Sequence, residues 1–448
     1  MQLLIKDLYE KFKNSSGIST DSRTIKKDNI FFCLKGDNFD GNDYAQDALN
    51  KGASLCVINN PELAKNSEKF LLVRDSLDTL QELAKHHRDN LNIPIVCITG
   101  SNGKTTTKNL LEVALTTKYK VYATEGNFNN HIGVPLSILK INDSHEIGVI
   151  EMGASSVGEI AQLCQIAKPT CGLITNISKA HIKGFKSFDG VLRGKSELFD
   201  YLNKNGGQII INNYDKTLSN FIRRFESALL VKGEKSNIEI KICESKDGSK
   251  IFEPNIIFKV KNYNSGFYEK KKSKLFGRHN FENIITAISV AKFFKVEEID
   301  SAEKICLWDM PSNNRSQVIK VKGSNIILDA YNANPHSMKN AIESIQNFSD
   351  NDKVFILGDM NELGEISEAE HFKIGDITSR LNLKKCFFVG IKMKAAYNGN
   401  KNSRWFKSYS DMEREVSKII LSNVDILVKG SRSLRLERIE YVLRKILI

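Results

Sequence analysis

The feature that most constrains this chain is a short glycine-containing turn between an apolar strand and a helix. Residues 95–98 read Ile-Val-Cys-Ile, and residues 99–106 read Thr-Gly-Ser-Asn-Gly-Lys-Thr-Thr. Small residues let backbone N–H groups close around phosphate oxygens, a lysine adds positive charge, and the N-terminus of the next helix favours an anion. The widespread phosphate loop has four residues between its first glycine and Gly-Lys, whereas this turn has two. The strand before it and the helix after it still favour a phosphate site over a plain strand-to-helix turn.

This turn supplies the first group of candidate site residues. Lys104 would place a charge on the phosphates, and the hydroxyl of Thr105 could hold Mg²⁺. The predicted nucleotide-binding residues here are Gly100, Ser101, Asn102, Gly103, Lys104, Thr105 and Thr106.

Apolar runs alternate with helical periods along most of the chain, which indicates an α/β fold with mostly parallel sheets. Residues 31–34 and 55–58 resemble strands, and residues 44–51 and 77–90 resemble helices. The next predicted strands are 95–99, 147–151, 171–175 and 208–212, with helices at 105–117, 157–166, 189–203 and 281–294. Further along, strands are predicted at 325–329, 353–357, 385–389 and 425–428, with helices at 336–347, 367–381, 411–421 and 431–446.

A chain of 448 residues is too long for one ordinary hydrophobic core. Breaks near residues 92–94 and 308–311 divide it into three predicted domains: a small α/β domain (1–90), a central phosphate-loop domain with a mostly parallel sheet flanked by helices (91–310), and a C-terminal Rossmann-like α/β domain (311–448). Ligands of parallel sheets bind beyond the carboxyl ends of the strands. We therefore expect Thr99, Glu151 and Thr175, which end three strands, to meet in one crevice.

The bulk composition excludes several classes of protein. The net charge is +12, but its densest cluster, Lys270, Lys271, Lys272 and Lys274, is interpreted as a solvated turn, so an anionic small molecule is favoured over nucleic acid. No apolar run reaches the ~18–20 residues of a spanning helix, and no signal peptide is evident. Eight scattered cysteines lack a Cys-x-x-Cys pair and favour buried free thiols. We expect a soluble, cytoplasmic protein.

Six further strings follow the phosphate loop in a specific order. They are Asn-Phe-Asn-Asn-His-Ile-Gly-Val-Pro (127–135), Glu-Met-Gly (151–153), Thr-Asn with Ala-His (175–176, 180–181), Gly-Lys-Ser-Glu (194–197), Gly-Arg-His-Asn-Phe-Glu-Asn (277–283) and Asp-Ala-Tyr-Asn-Ala-Asn-Pro (329–335). Asp-Ser-Arg (21–23) precedes them, and Lys-Gly-Ser-Arg-Ser (429–433) ends the series. Together they resemble the Mur ligases of bacterial cell-wall synthesis over essentially the whole chain.

Within that family, the strings at 331–335 and 429–433 are most similar to members that add D-alanyl-D-alanine to UDP-N-acetylmuramoyl-tripeptide. The resemblance implies an ATP-dependent ligase that forms an acyl phosphate and serves peptidoglycan synthesis, and hence cell shape and division. It implies ATP and two Mg²⁺ ions as cofactors. It implies the two small-molecule substrates as partners, with no nucleic acid, no membrane insertion and a monomer by default. Substrates divided among three domains predict a closing motion.

The resemblance assigns catalytic and metal-binding roles to four residues besides Thr105. Glu151 would hold Mg²⁺, although a helix cap or salt bridge is the alternative for a carboxylate at a strand end. His181 would hold a second Mg²⁺, although an ordinary polar histidine is the alternative. Lys195 would be carbamylated and act as an oxygen ligand, whereas a helical lysine is usually a solvated charge. Arg315 would reach the phosphates from the last domain.

Further residues are expected to bind nucleotide or substrate. Asn280 and Asn283 could read adenine, although Asn280 could instead cap its helix; Asp329 and Tyr331 would lie near the ribose. The substrate candidates are Ser22, Arg23, Asn127, Asn129, Asn130, Asn332 and Asn334. Arg23 could pair with the diphosphate, although a lone arginine is more often a surface charge, and the loop asparagines could be turn formers.

Two alternative functions remain open at this point. One is another amide ligase of the same superfamily, either the ligase that adds the third amino acid or a folylpolyglutamate synthase. The other is a regulatory or nucleic-acid-dependent NTPase with a phosphate loop, in which the strings after residue 310 would have no role. Whether the tripeptide ends in lysine or diaminopimelate is also open.

Overall fold

The computed structural model describes residues 2–232, 238–243, 255–263, 265–309, 315–346 and 348–448. The predicted boundary at 310–311 and the last residue of the predicted helix 336–347 lie outside these ranges. Among the described residues, no helix combines the length and apolar character needed to cross a bilayer.

The first segment builds a four-stranded parallel sheet in the order β1-β2-β5-β6. Strands β2 and β5 are buried along their whole length, as expected for short apolar runs. Its elements are α1 Gln2–Lys13, β1 Ile18–Ser19, β2 Ile30–Phe32, β3 Lys35–Gly36, β4 Phe39–Asp40, α2 Ala45–Asn50, β5 Leu55–Ile58, α3 Pro61–Ala64, β6 Phe70–Leu72 and α4 Ser76–Asp89.

The middle segment forms a six-stranded, fully parallel sheet in the order β12-β11-β10-β7-β9-β8, with helices between the strands. A separate antiparallel sheet has the order β13-β14-β15. The elements are β7 Ile95–Thr99, α5 Lys104–Leu115, β8 Val121–Ala123, α6 Gly133–Leu139, β9 Ile147–Glu151, α7 Glu159–Ala167, β10 Cys171–Ile174, α8 Ile182–Phe185, α9 Phe188–Lys204, β11 Gln208–Ile211, α10 Lys216–Ser219, β12 Leu229–Leu230, β13 Ile240–Ile242, β14 Ile257–Lys261, β15 Tyr268–Lys272, α11 Arg278–Phe293 and α12 Glu298–Leu307.

The last segment has its own six-stranded sheet in the order β16-β17-β21-β18-β19-β20, in which only β16 runs antiparallel. The elements are β16 Gln317–Val321, β17 Ser324–Asp329, α13 Pro335–Gln346, β18 Asp352–Gly358, α14 Ser367–Ser379, β19 Lys385–Val389, α15 Lys394–Gly399, β20 Arg404–Phe406, α16 Tyr409–Val416, β21 Val424–Lys429 and α17 Ile439–Ile446. The predicted α/β class with mostly parallel sheets is confirmed.

The first and middle segments share one hydrophobic cluster, so they are firmly packed together. Helix α4 lies at their junction. The guanidinium of Arg88, on α4, donates to the carbonyls of Leu91 (2.8 Å), Ala167 (2.9 Å) and Lys168 (3.2 Å). It thereby satisfies carbonyls at the end of α7, which have no partners within that helix.

Four predictions about local structure are wrong. Lys270 to Lys272 belong to strand β15, where alternate residues face outward, and are not a turn. The helix predicted at 281–294 begins at Arg278, three residues earlier. The helix predicted at 411–421 ends at Val416. The helix predicted at 431–446 is interrupted, because Arg435 adopts a left-handed conformation (φ 48°) and α17 begins only at Ile439.

Seven of the eight cysteines are buried, Cys306 is half-buried, and all eight are free thiols. Burial raises the pKa of the Cys171 thiol to about 12, so its thiolate is strongly disfavoured. The cysteines therefore belong to the hydrophobic packing.

Candidate functional site

A cavity of about 1260 Å³ lies between the carboxyl edge of the central sheet and the C-terminal segment. The predicted site residues that line it are Ser101, Asn102, Gly103, Lys104, Thr105, Thr106, Asn129, Asn130, Glu151, His181, Asn280, Asn283, Arg315, Asp329, Tyr331, Asn332 and Asn334. Those that do not line it are Ser22, Arg23, Gly100, Asn127 and Lys195. The structure thus brings together most of the predicted residues, from parts of the chain more than 200 residues apart.

The turn after β7 needs glycine at two positions. Gly100 has φ 143°, and a Cβ there would lie 2.0 Å from the hydroxyl of Thr175. Gly103 has φ 79° and caps α5, and a Cβ there would lie 2.8 Å from Oδ1 of Asn283. Both positions combine a conformation that L side chains avoid with a close approach by a neighbour. The turn therefore packs closely against the structure around it.

The charge of this loop comes from Lys104, at the start of α5. Its Nζ donates to the carbonyl of Gly100 at 2.7 Å, which folds the side chain back over the loop. Burial lowers the pKa of Lys104, and the nearby Arg315 lowers it further. Two cations thus face one polar cavity, an arrangement that an anionic ligand would stabilise.

Asn176, which follows the end of β10, holds the phosphate-loop backbone. Its side chain accepts from the N–H of Asn102 (3.1 Å) and donates to the carbonyl of Asn102 (3.0 Å). The hydroxyl of Thr175 donates to the same carbonyl at 2.6 Å. Thr175, but not Asn176, was expected in the crevice, although a polar residue that closely follows a parallel strand is a usable signal.

Glu151, at the end of β9, is 3 % exposed and hydrogen-bonded at both oxygens. Thr105 donates to Oε2 and Asn129 donates to Oε1, each at 2.8 Å. Neither a helix cap nor an ion pair of Glu151 occurs among the described residues, so both alternatives for this residue are wrong. The hydrogen-bond donors to this carboxylate among the described residues are thus neutral, and the carboxylate could also bind a cation that enters the cavity.

The three asparagines of the 127–135 string differ in their surroundings. Asn129 contacts Glu151, as described above, so its amide is engaged within the protein. Asn130 accepts from the N–H groups of Ile132 (3.1 Å) and Gly133 (2.9 Å), which is the turn-forming alternative. Asn127 is exposed and lies outside the cavity.

His181 contacts the C-terminal segment. Its Nδ1 pairs with the carboxylate of Glu362, and the N–H of Lys183 donates to the carbonyl of Glu362 at 3.0 Å. Nearby, Lys179 pairs with Glu370 at 2.8 Å. These contacts join the central and C-terminal segments at one rim of the cavity.

Lys195 lies beneath the cavity wall, on α9. It is 1 % exposed; its Nζ donates to the carbonyl of Ala154 at 3.1 Å and lies 5.3 Å from the ring centre of Phe185. Burial lowers the pKa of Lys195 well below its usual range, and the charge of Lys104 adds to this effect. The expectation that a helical lysine would be solvated is therefore wrong here.

Asn280 and Asn283 lie in the first two turns of α11 and are buried. Asn280 donates to the carbonyl of Phe276 (2.9 Å), and Asn283 donates to Asn280 (3.3 Å) and accepts from Thr107 (3.2 Å). Because α11 begins at Arg278, Asn280 is not its N-cap, and the capping alternative is wrong. The pair links α11 to the helix of the phosphate loop.

The guanidinium of Arg315 stacks on the aromatic ring of Tyr331. Its guanidinium is 3.7 Å from the centre of the Tyr331 ring, and the guanidinium of Arg432 is 5.3 Å from the same centre. Such stacking fixes a guanidinium plane without using its N–H donors. No hydrogen bond or ion pair of Arg315 occurs in the described part of the chain, so these donors are available to an anion in the cavity.

Asp329, at the end of β17, forms a buried polar cluster. It accepts from Nζ of Lys429 at 2.6 Å and from the N–H of Ser316 at 3.1 Å. Lys429 is 2 % exposed and also donates to the carbonyl of Asn332 at 3.1 Å.

Across the cavity, Nδ2 of Asn334 donates to Oδ1 of Asn102 at 2.6 Å, so the C-terminal segment touches the phosphate loop directly.

His279 belongs to the 277–283 string but was not predicted as a site residue, and it also lines the cavity. Its buried Nδ1 has no partner among the described residues, and burial lowers the pKa of His279 to about 4.

Ser22 and Arg23 lie in the first segment, away from this cavity. The side chain of Arg23 is 85 % exposed and pairs with Asp21 at 2.7 Å, which favours the surface-charge alternative.

Family models match nearly the whole chain. One described as "Mur ligase middle domain" matches residues 98–291, "Mur ligase, glutamate ligase domain" matches 314–432, and "Mur ligase family, catalytic domain" matches 14–88.

Individual relatives agree with these matches. The UDP-N-acetylmuramoyl-tripeptide–D-alanyl-D-alanine ligase of Bacillus subtilis is 32% identical over 440 residues, which span 94% of this chain and 92% of that protein. A crystal structure of MurF from Acinetobacter baumannii has a TM-score of 0.84 at 27% identity and covers 96% of this chain and 93% of its own. MurF ligase from Thermotoga maritima in complex with ADP has a TM-score of 0.80 at 27% identity and covers 96% and 97%.

Proposed function

The chain belongs to the Mur ligase family, and from this premise we propose that it joins D-alanyl-D-alanine to UDP-N-acetylmuramoyl-tripeptide while ATP is converted to ADP and phosphate. The product would be the UDP-N-acetylmuramoyl-pentapeptide used to build peptidoglycan. One observation carries the proposal. The phosphate loop, the Thr105–Glu151 pair and Arg315 face one cavity between two segments that both match this family.

The chemistry needs a site of this kind. A peptide carboxylate is a poor electrophile, because the group it would lose is oxide. Transfer of the γ-phosphoryl of ATP to a carboxylate oxygen forms an acyl phosphate and releases ADP. The amine of D-alanyl-D-alanine then attacks the carbonyl carbon, and phosphate leaves with the original carboxylate oxygen. No side-chain nucleophile is required, since positioning and charge stabilisation do most of the work.

We assign the nucleotide to the loop and the two segments around it. Residues 100–106 and Lys104 would hold the phosphates, with Arg315 supplied from the C-terminal domain. Asn280 and Asn283 would face adenine, and Asp329 with Tyr331 would lie near the ribose. The stacking of Arg315 on Tyr331 supports this assignment, because it holds a phosphate-binding guanidinium against a proposed nucleotide-binding residue.

The Thr105–Glu151 pair fits a magnesium ion. Both oxygens belong to the class that Mg²⁺ prefers, and Glu151 forms no ion pair within 4 Å among the described residues. No group of three or more His, Cys, Asp or Glu that could hold a metal occurs in the described chain, so phosphate oxygens would have to complete the site. Mg²⁺ bound there would neutralise charge on the transferred phosphoryl group.

The role of His181 as a further magnesium ligand is also a proposal. Its Nδ1 lies against the carboxylate of Glu362, which limits how the imidazole ring can turn. Imidazole is nevertheless a less typical ligand of Mg²⁺ than oxygen. The contact supports a positioned histidine at this rim.

We propose that Lys195 is carbamylated. Its neutral amine would attack CO₂ to give a carbamate and release one proton, and the carbamate would supply a negatively charged oxygen ligand. The buried position and the lowered pKa support this, because only the unprotonated amine reacts. Ala154, whose carbonyl accepts from Lys195, lines the cavity, so the modified group would lie at its wall.

The remaining assignments follow from the family. The domain limits 1–90, 91–310 and 311–448 stay a prediction, with the first domain binding the uridine end through Ser22 and Arg23. Asn127, Asn129, Asn130, Asn332 and Asn334 stay candidates for the sugar, peptide or dipeptide. A cytoplasmic monomer that closes around its substrates is part of the proposal.

The dependence on the amine acceptor tests this function. With ATP, Mg²⁺ and UDP-N-acetylmuramoyl-tripeptide present, we expect phosphate release to require D-alanyl-D-alanine and not to occur with lysine, diaminopimelate or glutamate. DNA and RNA should not change the rate. Phosphate release without any amine, or stimulated by nucleic acid, would instead support the NTPase alternative. A requirement for lysine, diaminopimelate or glutamate would support another amide ligase.

A further inference from the structure

A buried lysine on the phosphate-loop helix has no assigned role. Lys108 lies one helical turn after Lys104 on α5 and is 6 % exposed. Its Nζ donates to the carbonyl of Thr124 at 2.7 Å, and the nearest carboxylate, that of Glu112, lies 3.9 Å away. A buried ammonium with so few partners costs stability that an apolar residue would not cost.

The carbonyl that Lys108 holds belongs to a residue that contacts Glu151. Thr124 is 1 % exposed and follows strand β8. Its N–H donates to the carbonyl of Val149 at 2.9 Å, and its hydroxyl accepts from the N–H of Glu151 at 3.0 Å. Thr124 is therefore fixed to β9 on one side and to Lys108 on the other.

The contacts form a continuous path into the cavity. The path runs from Lys108 through Thr124 to the backbone of Glu151, whose carboxylate accepts from Thr105 at 2.8 Å. Burial lowers the pKa of Lys108, and the neighbouring carboxylates of Glu112 and Glu151 oppose that change. Glu151 is therefore one of the carboxylates that favour the charged form of Lys108.

We propose that Lys108 is a positioning residue for Glu151. Its ammonium anchors the Thr124 carbonyl, so that the Thr124 hydroxyl holds the backbone of Glu151 and keeps the carboxylate beside Thr105. This inference rests on the proposed function in one respect: it takes Glu151 to bind Mg²⁺ with the nucleotide. Lys108 itself does not line the cavity, and partners of this kind typically change metal affinity about 10–100-fold when removed.

The test is the Mg²⁺ dependence of ADP binding, measured by calorimetry, which uses neither tripeptide nor dipeptide. We expect Lys108→Met to raise the half-saturating Mg²⁺ concentration about 10-fold and to lower kcat about 10-fold, with the KM for D-alanyl-D-alanine unchanged. Thr124→Val removes the hydroxyl and should have a similar effect. The double variant should change the half-saturating Mg²⁺ concentration and kcat no more than either single variant does, because both changes interrupt the same path of contacts.

The matched control is Lys118→Met. Lys118 is an exposed lysine just beyond α5 whose Nζ also donates to a backbone carbonyl, that of Lys295, at 2.9 Å. Lys118→Met should leave both the half-saturating Mg²⁺ concentration and kcat unchanged. If Lys108→Met does not fold, Lys108→Gln takes its place with the same expected result.

The proposal would be overturned if the Lys108 variant had an unchanged Mg²⁺ dependence. It would also be overturned if the effects of the two single changes on Mg²⁺ dependence and kcat multiplied in the double variant. Failure of the proposed function would look different: wild-type protein would bind ADP with Mg²⁺ but would not release phosphate in response to D-alanyl-D-alanine.

Discussion

Lys195→Ala is expected to lower kcat for ligation by about 10³-fold, and added formate or acetate is expected to restore part of the activity. About 10³-fold corresponds to roughly 4 kcal/mol of lost transition-state stabilisation. If the lysine carries a carbamate, alanine removes the anionic oxygen ligand, and a small carboxylate can enter the vacated space and supply one. The structure supports this because Lys195 is buried beneath the cavity wall and burial lowers the pKa of its amine.

Controls separate this chemistry from a loss of packing. Truncating a long buried side chain can cost about 2–5 kcal/mol of stability, so thermal unfolding of Lys195→Ala must be measured alongside its activity. Lys204→Ala, at the exposed end of the same helix α9, should keep full activity. Full activity of Lys195→Ala would contradict the carbamate. Inactivity of a folded variant without any rescue would count against it too.

Glu151→Gln is expected to lower kcat by a similar factor of about 10³, with little change in stability. The amide keeps the size of the side chain, and its oxygen can accept from Asn129 while its NH₂ group donates to the Thr105 hydroxyl, but it loses the charge that would bind Mg²⁺. Because kcat depends on a correctly held metal–nucleotide complex, the loss should exceed that of Lys108→Met. The measurement is steady-state phosphate release at saturating ATP and a series of Mg²⁺ concentrations.

The matched control for Glu151→Gln is Glu146→Gln. Glu146 directly precedes the same strand, β9, at its other end, where it is exposed and accepts from the N–H of Lys120 at 2.8 Å. Its replacement should leave kcat unchanged. An active Glu151→Gln enzyme with unaltered Mg²⁺ dependence would remove Glu151 from the metal site.

The central strands and the phosphate loop could be predicted from sequence because buried parallel strands are continuous apolar runs and the loop has few alternative uses. Strand β15 could not, since its Tyr-Glu-Lys-Lys-Lys sequence is polar and gains its structure from pairing with β14. The break before α17 depends on one left-handed residue, Arg435, which has no clear sequence signal.

The candidate site was predictable in its residues but not in its contacts. Glu151 could be predicted because its charge ends an apolar strand, and Lys195 because it lies in a string typical of the family. Nothing in the local sequence indicates that Asn129 would contact Glu151. Lys108 and Thr124 were not predicted, because their contacts form only when α5, β8 and β9 pack together. Contacts between distant segments depend on tertiary packing, which one sequence does not display.

The most direct measurement of the central claim follows oxygen from substrate to phosphate. UDP-N-acetylmuramoyl-tripeptide labelled with ¹⁸O in its terminal carboxylate is incubated with ATP, Mg²⁺ and D-alanyl-D-alanine, and the released phosphate is analysed by mass spectrometry. Activation of the carboxyl group at the phosphate loop predicts one ¹⁸O atom in each phosphate. Phosphate released without label would mean that water attacked ATP, and would contradict ligation through an acyl phosphate at this site.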